Sequence, residues 1–403
     1  MDKLKIRAYN IRFGDAYLIS VPDKGTDNQV KTRYILVDVG NSLSRAGGID
    51  DVFEPVVKDI LAVLEGNPLD LYIMTHEHMD HIQGLPYAQA YHFQNENLKD
   101  KLKVQYAWFT ASSETNYYSS HPEAKEKKLM MEEAYFEIQS YFNFLKASGE
   151  YVPSSLENLL LINNPRRTKD NVKYLQDLAL HNYYVHRESD LRGTHPFNEA
   201  QFEIWAPEED TSIYYGRFRP MALGLISTGR SKRKSIIPEL IPPPGVDADD
   251  FYNLVKKRRG YLENLLAIDK AANNTSLVFC LKWRGWRLLF TGDAEVRSWK
   301  TMNKYNQLKP VHFIKISHHG SHTGTPDDDL LGKVLPEGQH DDRTRKAVVS
   351  TWKDTYNNVP DQATVDQYDP NLPEERRRCD ELHVLDHNKT PGSFEDIEFE
   401  DLG

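Results

Sequence analysis

The run THEHMDHIQG sets His76, His78, Asp80 and His81 close together directly after the short apolar segment LYIM. That segment reads as a buried strand, so the four side chains stand on the turn leaving a strand end, where sheet-based enzymes hold reactive groups. Imidazole nitrogen and carboxylate oxygen are ligand types that suit Zn(II), Mn(II) or Fe. His76 and His78 project to one side if the backbone between them is extended. A turn after them can aim Asp80 and His81 at a neighbouring point, so the spacing describes two adjacent half-sites of the kind two-metal hydrolysis uses. A solvated polar loop is the competing reading, and four such residues at this spacing make it the poorer one.

Two later segments repeat the theme. Asp293 follows the apolar run LLF through Thr-Gly, and His318 and His319 follow VHFIKI. An Asp after Gly is common in turns, but here it stands between a buried strand and a histidine pair, which favours a ligand. Neighbours on a strand point oppositely, so only one of His318 and His319 need bind metal; His319 is preferred, with the other beside it or facing substrate. Asp38, in ILVDVG, is read as fixing a metal-binding His or its loop. Asp15, after Gly14, reads equally as a turn residue.

HEHMDH resembles the HxHxDH signature of the metallo-β-lactamase superfamily. Asp38 in VDVG, Asp293 in TGDAE and the histidines of KISHHGSHTG resemble its other motifs, in the same order. The pieces FGDAYLI, VDVG, HEHMDH, NNTSLVF, TGDAE and HHGS are similar to the branch containing the hydrolase domain of the ComEC DNA-uptake protein and its soluble relatives. The resemblance covers roughly residues 5–95 and 200–360 and implies an α/β fold, the αββα sandwich, with a helical insertion and a second, basic one. It implies His76, His78, Asp80, His81, Asp293 and one or both of His318 and His319 around two divalent ions, Zn(II) or Mn(II). One departure stands out. Many superfamily members carry a further His just before the strand leading to the bridging Asp, and here Asn273 and Asn274 occupy that place. The His76–His78 half-site then lacks an imidazole, leaving water, Asp293 or a His of the insertion (His92, His121, His181, His186, His195) to complete it.

The implied chemistry is a bridging water made acidic by two ions, whose pKa falls from about 15.7 towards 7, attacking phosphorus or carbonyl carbon. Asp80 would bind metal and orient the nucleophile, and His319, or whichever of the pair is off the metal, would protonate the leaving oxygen. Ser321, His322 and Thr323 either bind phosphate oxygens or form a polar loop. Arg230, Lys232, Arg233 and Lys234, then Lys256, Lys257, Arg258 and Arg259, with nearby aromatics, suit a phosphodiester or nucleotide, or else form a solvated loop and a surface helix. The leading expectation is a metal-dependent phosphodiesterase or nuclease. The alternatives are an ester, lactone or amide hydrolase on the same metals, and a metal-poor scaffold whose insertions dock a partner protein.

The elements that must position these residues are strand-rich at both ends of the chain. Strands are expected at Lys5–Tyr9, Ala16–Val21, Tyr34–Val39, Leu69–Thr75, Gln201–Trp205, Ser276–Trp283, Trp286–Phe290, Val311–Ile316 and Ala347–Thr351. Helical spacing predicts helices at Asp51–Leu64, Glu123–Ala147 and Asp170–His181. The 403 residues are read as one domain, with a core at about 1–95 and 200–375, a helical insertion at about 96–199, a basic insertion at 208–266 and an acidic tail at 379–403. A net charge of -10 argues against a protein that coats nucleic acid, though a local basic patch suffices to grip a short phosphodiester. Two distant cysteines form neither a disulfide framework nor a thiolate cluster. The absence of a leader-like start or of an apolar run near 18 residues points to a cytoplasmic protein with no membrane contact.

Overall fold

The computed structural model describes residues 2–25, 28–42, 52–215, 248–338, 341–353, 355–356 and 358–401, with 248–259 described by backbone alone. The strands, in chain order, are β1 (Lys3–Tyr9), β2 (Ala16–Lys24), β3 (Val30–Val39), β4 (Leu71–Ile73), β5 (Tyr106–Thr110), β6 (His181–Val185) and β7 (Gln201–Ala206). There follow β8 (Val278–Trp283), β9 (Trp286–Phe290), β10 (Phe313–Lys315), β11 (Lys346–Ser350), β12 (Glu381–Leu385) and β13 (Phe394–Glu400). They form two sheets, ordered β13-β1-β2-β3-β4-β5-β6 and β12-β11-β10-β9-β8-β7. Each sheet is antiparallel on one side and parallel on the other: β3 to β6 run parallel in the first, β9 to β12 in the second.

Strand alternation builds the layers. Leu4, Ile6 and Ala8 of β1 and Phe279, Leu281 and Trp283 of β8 lie in one core between the sheets, because every second side chain faces the same way. The residues between them, such as Val278 and Cys280, face outward with Trp299, Met302, Leu331 and Val334 of the helices Val296–Lys304 and Asp328–Val334. On the other side, Leu18, Leu36 and Tyr72 pack under the helices Phe53–Leu64, Pro122–Ala147, Ser154–Ile162 and Pro165–Leu178, and under the C-terminal half of Ala248–Asn274. Two sheets face to face with helices outside both is the αββα sandwich. No helix among the described residues is long and apolar enough to cross a membrane.

Several expectations shift. The segment 96–199 is not only helical, since β5 and β6 extend the first sheet from within it. The helix expected at Asp170–His181 runs Pro165–Leu178, because Asn164 accepts from the N–H groups of Arg166 and Arg167 and Pro165 opens the first turn. His181 already belongs to β6. The largest correction concerns 379–403, read as a peripheral tail. It supplies β12 to the second sheet and β13 to the first. Its acidity is one face of an edge strand. Ile397 and Phe399 are buried, while Asp396 and Glu398 pair outward with Arg7 and Lys3, both at 2.8 Å.

Phe399 packs edge-on against Trp286 and Phe313. Phe399→Ala is therefore expected to cost about 3–5 kcal/mol in urea denaturation; a loss below about 1 kcal/mol would return this segment to the periphery.

Candidate metal centre

Four chain segments leave the parallel strands at the same edge of the sandwich. After β4 the backbone stays extended to His78 and then turns into the short helix Met79–Ile82. After β9 comes the Thr-Gly-Asp turn, after β10 the histidine pair, and at the end of β3 stands Asp38. Two glycines let these loops touch. A Cβ on Gly14 would lie 2.0 Å from Gly40 O and 2.5 Å from Asp80 O, and one on Gly40 would lie 2.5 Å from the His81 nitrogen. The FGDA and VDVG segments thus press on the backbone of the Asp80–His81 turn, where Asp15 N–H donates to Asp80 O. Only glycine permits that approach.

Asp80, His81, Asp293 and His319 present ligand atoms that all lie within 4.8 Å of one another, and all four are buried. Asp293 Oδ2 is 3.2 Å from both His81 Nε2 and His319 Nε2, and Asp80 Oδ2 is 3.6 Å from His319 Nε2. The far nitrogen of each ring is anchored: His81 Nδ1–H donates to Asp38 Oδ2 at 2.8 Å, and His319 Nδ1–H to Ser350 O at 2.9 Å. Those bonds aim both Nε2 atoms at Asp293. Asp38 also accepts from Thr75 N–H and Oγ1–H at 2.8 and 2.6 Å, so it ties His81 to the loop after β4. His76 lies beside His81 with ring centres 4.2 Å apart and the rings tilted at 54°. The residues fit a bound cation by a separate criterion. His76 Nε2, His81 Nε2, His319 Nε2 and Asp80 Oδ1 are all buried without a hydrogen-bond partner, a costly state for polar atoms unless something else meets them.

The histidine pair departs from the strand geometry assumed for it. His318 and His319 both adopt left-handed backbone angles, φ 49° and 53°, on a turn after β10. The turn sends His319 to the cluster and His318 elsewhere. His318 joins Asp269 and Glu295 in a second group whose ligand atoms also lie within 4.8 Å. His78 Nε2 leans the same way, 2.9 Å from Asn163 Oδ1 and 3.8 Å from Asp269 Oδ1. Asn273 belongs to this second group, its Nδ2 donating to Asp269 Oδ2 at 3.2 Å and Glu295 Oε1 at 3.4 Å. Asn274 does not: its amide oxygen accepts from Ser298 and ties down a neighbouring helix.

None of the insertion histidines proposed to complete the His76–His78 pair joins these groups among the described residues. His121 stacks on Tyr117, His195 lies against Trp108 and Phe202, and His181 lies against Tyr106 on β6. His186 accepts from Glu188 N–H, and His92 stands near Glu54. The helical insertion instead contributes Asn163, and the helix that leads out of the basic insertion contributes Asp269. Ser321 bonds within its own turn to Thr323, and His322 is exposed. Arg233 and Lys234, with Arg230 and Lys232, lie outside the described residues, as do the side chains of Lys256–Arg259.

Three functional-looking residues, Lys315, Asp269 and Glu295, escaped the sequence reading. Lys315, 1% exposed, reaches Asp15 Oδ2 at 2.5 Å, Asp293 Oδ1 at 3.0 Å and Gly292 O at 2.8 Å. A lysine on an apolar strand gives no signal of its own. Asp269 and Asn273 are one helical turn apart, a spacing that does carry signal once the helix is known to run to Asn274. Glu295 stood inside the quoted TGDAE segment without a role.

Charge explains the titration behaviour. Burial opposes ionisation of Asp293, but His319, Lys315 and His81 hold its carboxyl well below the usual range. Burial would depress His319, yet Asp293 and Asp80 lift it to about 9. Glu295 is pushed up to about 7 by burial and by Asp269.

No family model and no curated protein matches this sequence. Among solved structures the chain is similar to a long form RNase Z from yeast, at 11% identity and a TM-score of 0.40. That match covers 100% of this chain and 42% of the other, so the chain spans under half of that protein's length.

Removing the cation at the centre of the carboxylates should be severe. Lys315→Met leaves Asp15 and Asp293 without it and is expected to cost about 3–5 kcal/mol of stability in EDTA-treated protein. Chemical denaturation reads this directly, and a change below about 1 kcal/mol would mean the carboxylates are balanced by the histidines alone.

Proposed function

We propose that the protein is a metal-dependent hydrolase of the metallo-β-lactamase superfamily, in its ComEC-like branch, acting on phosphodiester bonds of nucleic acid or nucleotides in the cytoplasm. The observation that carries this reading is the meeting of Asp80, His81, Asp293 and His319, from three strand ends, with unpartnered imidazole lone pairs and an unpartnered carboxylate oxygen. His81, Asp293, His319 and Asp80 would hold one divalent ion, Zn(II) or Mn(II). His76 and His78, with Asp293 nearby, would serve a second. Bound there, such ions supply an acidified water and polarise the oxygen under attack.

The chain's own groups do the rest. Asp38 and the Ser350 carbonyl hold the two rings by their Nδ1 atoms, so neither ring must reorient during turnover. Asp80 Oδ1 is free to take a proton from an attacking water and to orient it. Of the pair, His319 would hold the centre, a role its place within the cluster supports. Lys315 sits between the Asp15 and Asp293 carboxylates and helps hold Asp293 ionised. Phosphodiester chemistry is favoured by the basic stretch Lys256–Arg259, which lies on the same helix, Ala248–Asn274, that carries Asp269 into the site. Ten residues of helix separate Arg259 from Asp269, roughly 15 Å along the axis. Arg233 and Lys234 belong to a second basic stretch of the sequence.

Asp80→Asn and His78→Gln keep side-chain shape and are each expected to abolish hydrolysis of bis-p-nitrophenyl phosphate with Mn(II) or Zn(II) added. Near-normal rates in either would remove the mechanism. Faster turnover of a p-nitrophenyl ester by the native protein would shift the substrate to carboxylic esters, and metal binding without any turnover would leave a scaffold.

Arg233→Glu with Lys234→Glu should weaken binding of a short single-stranded oligonucleotide, with a shallower dependence on salt than the native protein. Unchanged affinity at low ionic strength, measured by fluorescence anisotropy, would take these residues out of the substrate surface.

A further inference from the structure

Beside the imidazole-rich cluster lies a pocket of different chemistry. Asp269 and Glu295 are 7% and 6% exposed, and both point at Asn273 Nδ2. His318 closes the group, with Nδ1 3.7 Å from Glu295 Oε1 and Nε2 3.3 Å from Asn273 Nδ2. Among the described residues no Lys or Arg ion-pairs with either carboxylate, in contrast to Asp15 and Asp293, which share Lys315. Two amide donors, Asn273 and Asn163, the latter reaching Asp269 Oδ1 at 3.1 Å, are a poor counterweight to two buried acids. A second observation points to a ligand: Asn273 is fully buried, and its Oδ1 has no hydrogen-bond partner. Its amide already sits among the three ligand groups, and a half-turn exchanges donor for acceptor.

We infer that Asp269, Glu295 and His318, with Asn273 Oδ1, form a cation site of their own, suited to a hard divalent ion of the Mn(II) kind. Two carboxylates and an amide oxygen against one imidazole make an oxygen-rich donor set, which favours Mn(II) over softer ions. The two acidic charges match a divalent ion. Entry is by way of His318, whose side chain is 19% exposed while the other groups are covered. The site shares no ligand with the Asp80–His81–Asp293–His319 cluster, yet His78 touches its rim through Asp269. An ion here would stand next to the half-site that lacks an imidazole. Asp269 and Asn273 lie on the helix of the second insertion, so that insertion would be tied to the centre by the ion it helps bind.

The test titrates EDTA-treated full-length protein with Mn(II), reading free ion by electron paramagnetic resonance and bound ion by elemental analysis after desalting. Asp269→Asn combined with Glu295→Gln is expected to lose one equivalent of bound Mn(II) relative to the native chain. His318→Gln, at the exposed rim, should weaken that same equivalent roughly tenfold or more. Asp80→Asn combined with His81→Gln should spare it and lose a different one. If the Asp269, Glu295 and His318 variants bind Mn(II) as the native protein does, the inference is overturned, while the proposed hydrolase centre stands if the Asp80–His81 variant loses its ion. Loss only in the Asp269–Glu295 variant would uphold the inference and remove the proposed centre, and a native chain that binds no ion overturns both. Circular dichroism checks folding, and should the double variant fail to fold, His318→Gln decides alone.

Discussion

Concentrating acids and imidazoles in a place nearly closed to water is the constraint around which this molecule is built. Asp15, Asp38, Asp80 and Asp293 are each at most 2% exposed and lie at one edge of the sandwich. Left unpaired, any one of them would take up a proton or drive the fold apart. Lys315 bridges Asp15 and Asp293, Asp38 takes three hydrogen bonds from Thr75 and His81, and Asp293 is flanked by two imidazoles. Asp15, Asp38 and Asp293 are each met by a group from another strand, while Asp80 Oδ1 keeps no hydrogen-bond partner. The cluster can therefore assemble only when both sheets are in place.

That coupling gives the strand ends their unusual backbone. His318 and His319 both sit in the left-handed region, as does Asp38 at φ 52°. Such conformations cost of order 1–3 kcal/mol apiece for residues other than glycine. They persist because the alternative would turn His319 away from Asp293 and Asp38 away from His81. Gly14 and Gly40 serve the same end by another means, removing the side chains that would hold two loops off the Asp80–His81 turn. The site is thus held by rigid elements on every side.

The insertions change the character of the edge more than its position. One ends a helix at Asn163 and the other runs a helix through Asp269 to Asn273, and both meet His78 or its neighbours. Around Asn273, where the sequence resemblance leads one to expect an imidazole, this chain has a group of carboxylates and amides. The difference is chemical, from nitrogen donors to oxygen donors, and it distinguishes the two ends of one continuous polar seam.

Local pattern determined a great deal. The strands around Tyr9, Leu36, Phe279 and Leu289 and the long helix through Ile138 and Phe142 follow from periodicity, which depends on neighbours in the chain. The candidate positions His76–His81, Asp293 and His318–His319 were legible from residue types at fixed spacing and from the family resemblance. Tertiary structure decided which histidine of the pair faces the cluster, because a left-handed turn is not written in alternation. It decided that the acidic segment after Arg378 is two strands, since the burial of Ile397 and Phe399 depends on β1 lying alongside. It also brought Lys315, Asp15, Asn163 and Asp269 into place. Their side chains are unremarkable in sequence and acquire meaning only from charges far along the chain, because electrostatic partnership is set by distance in space and low dielectric, neither of which a linear pattern records.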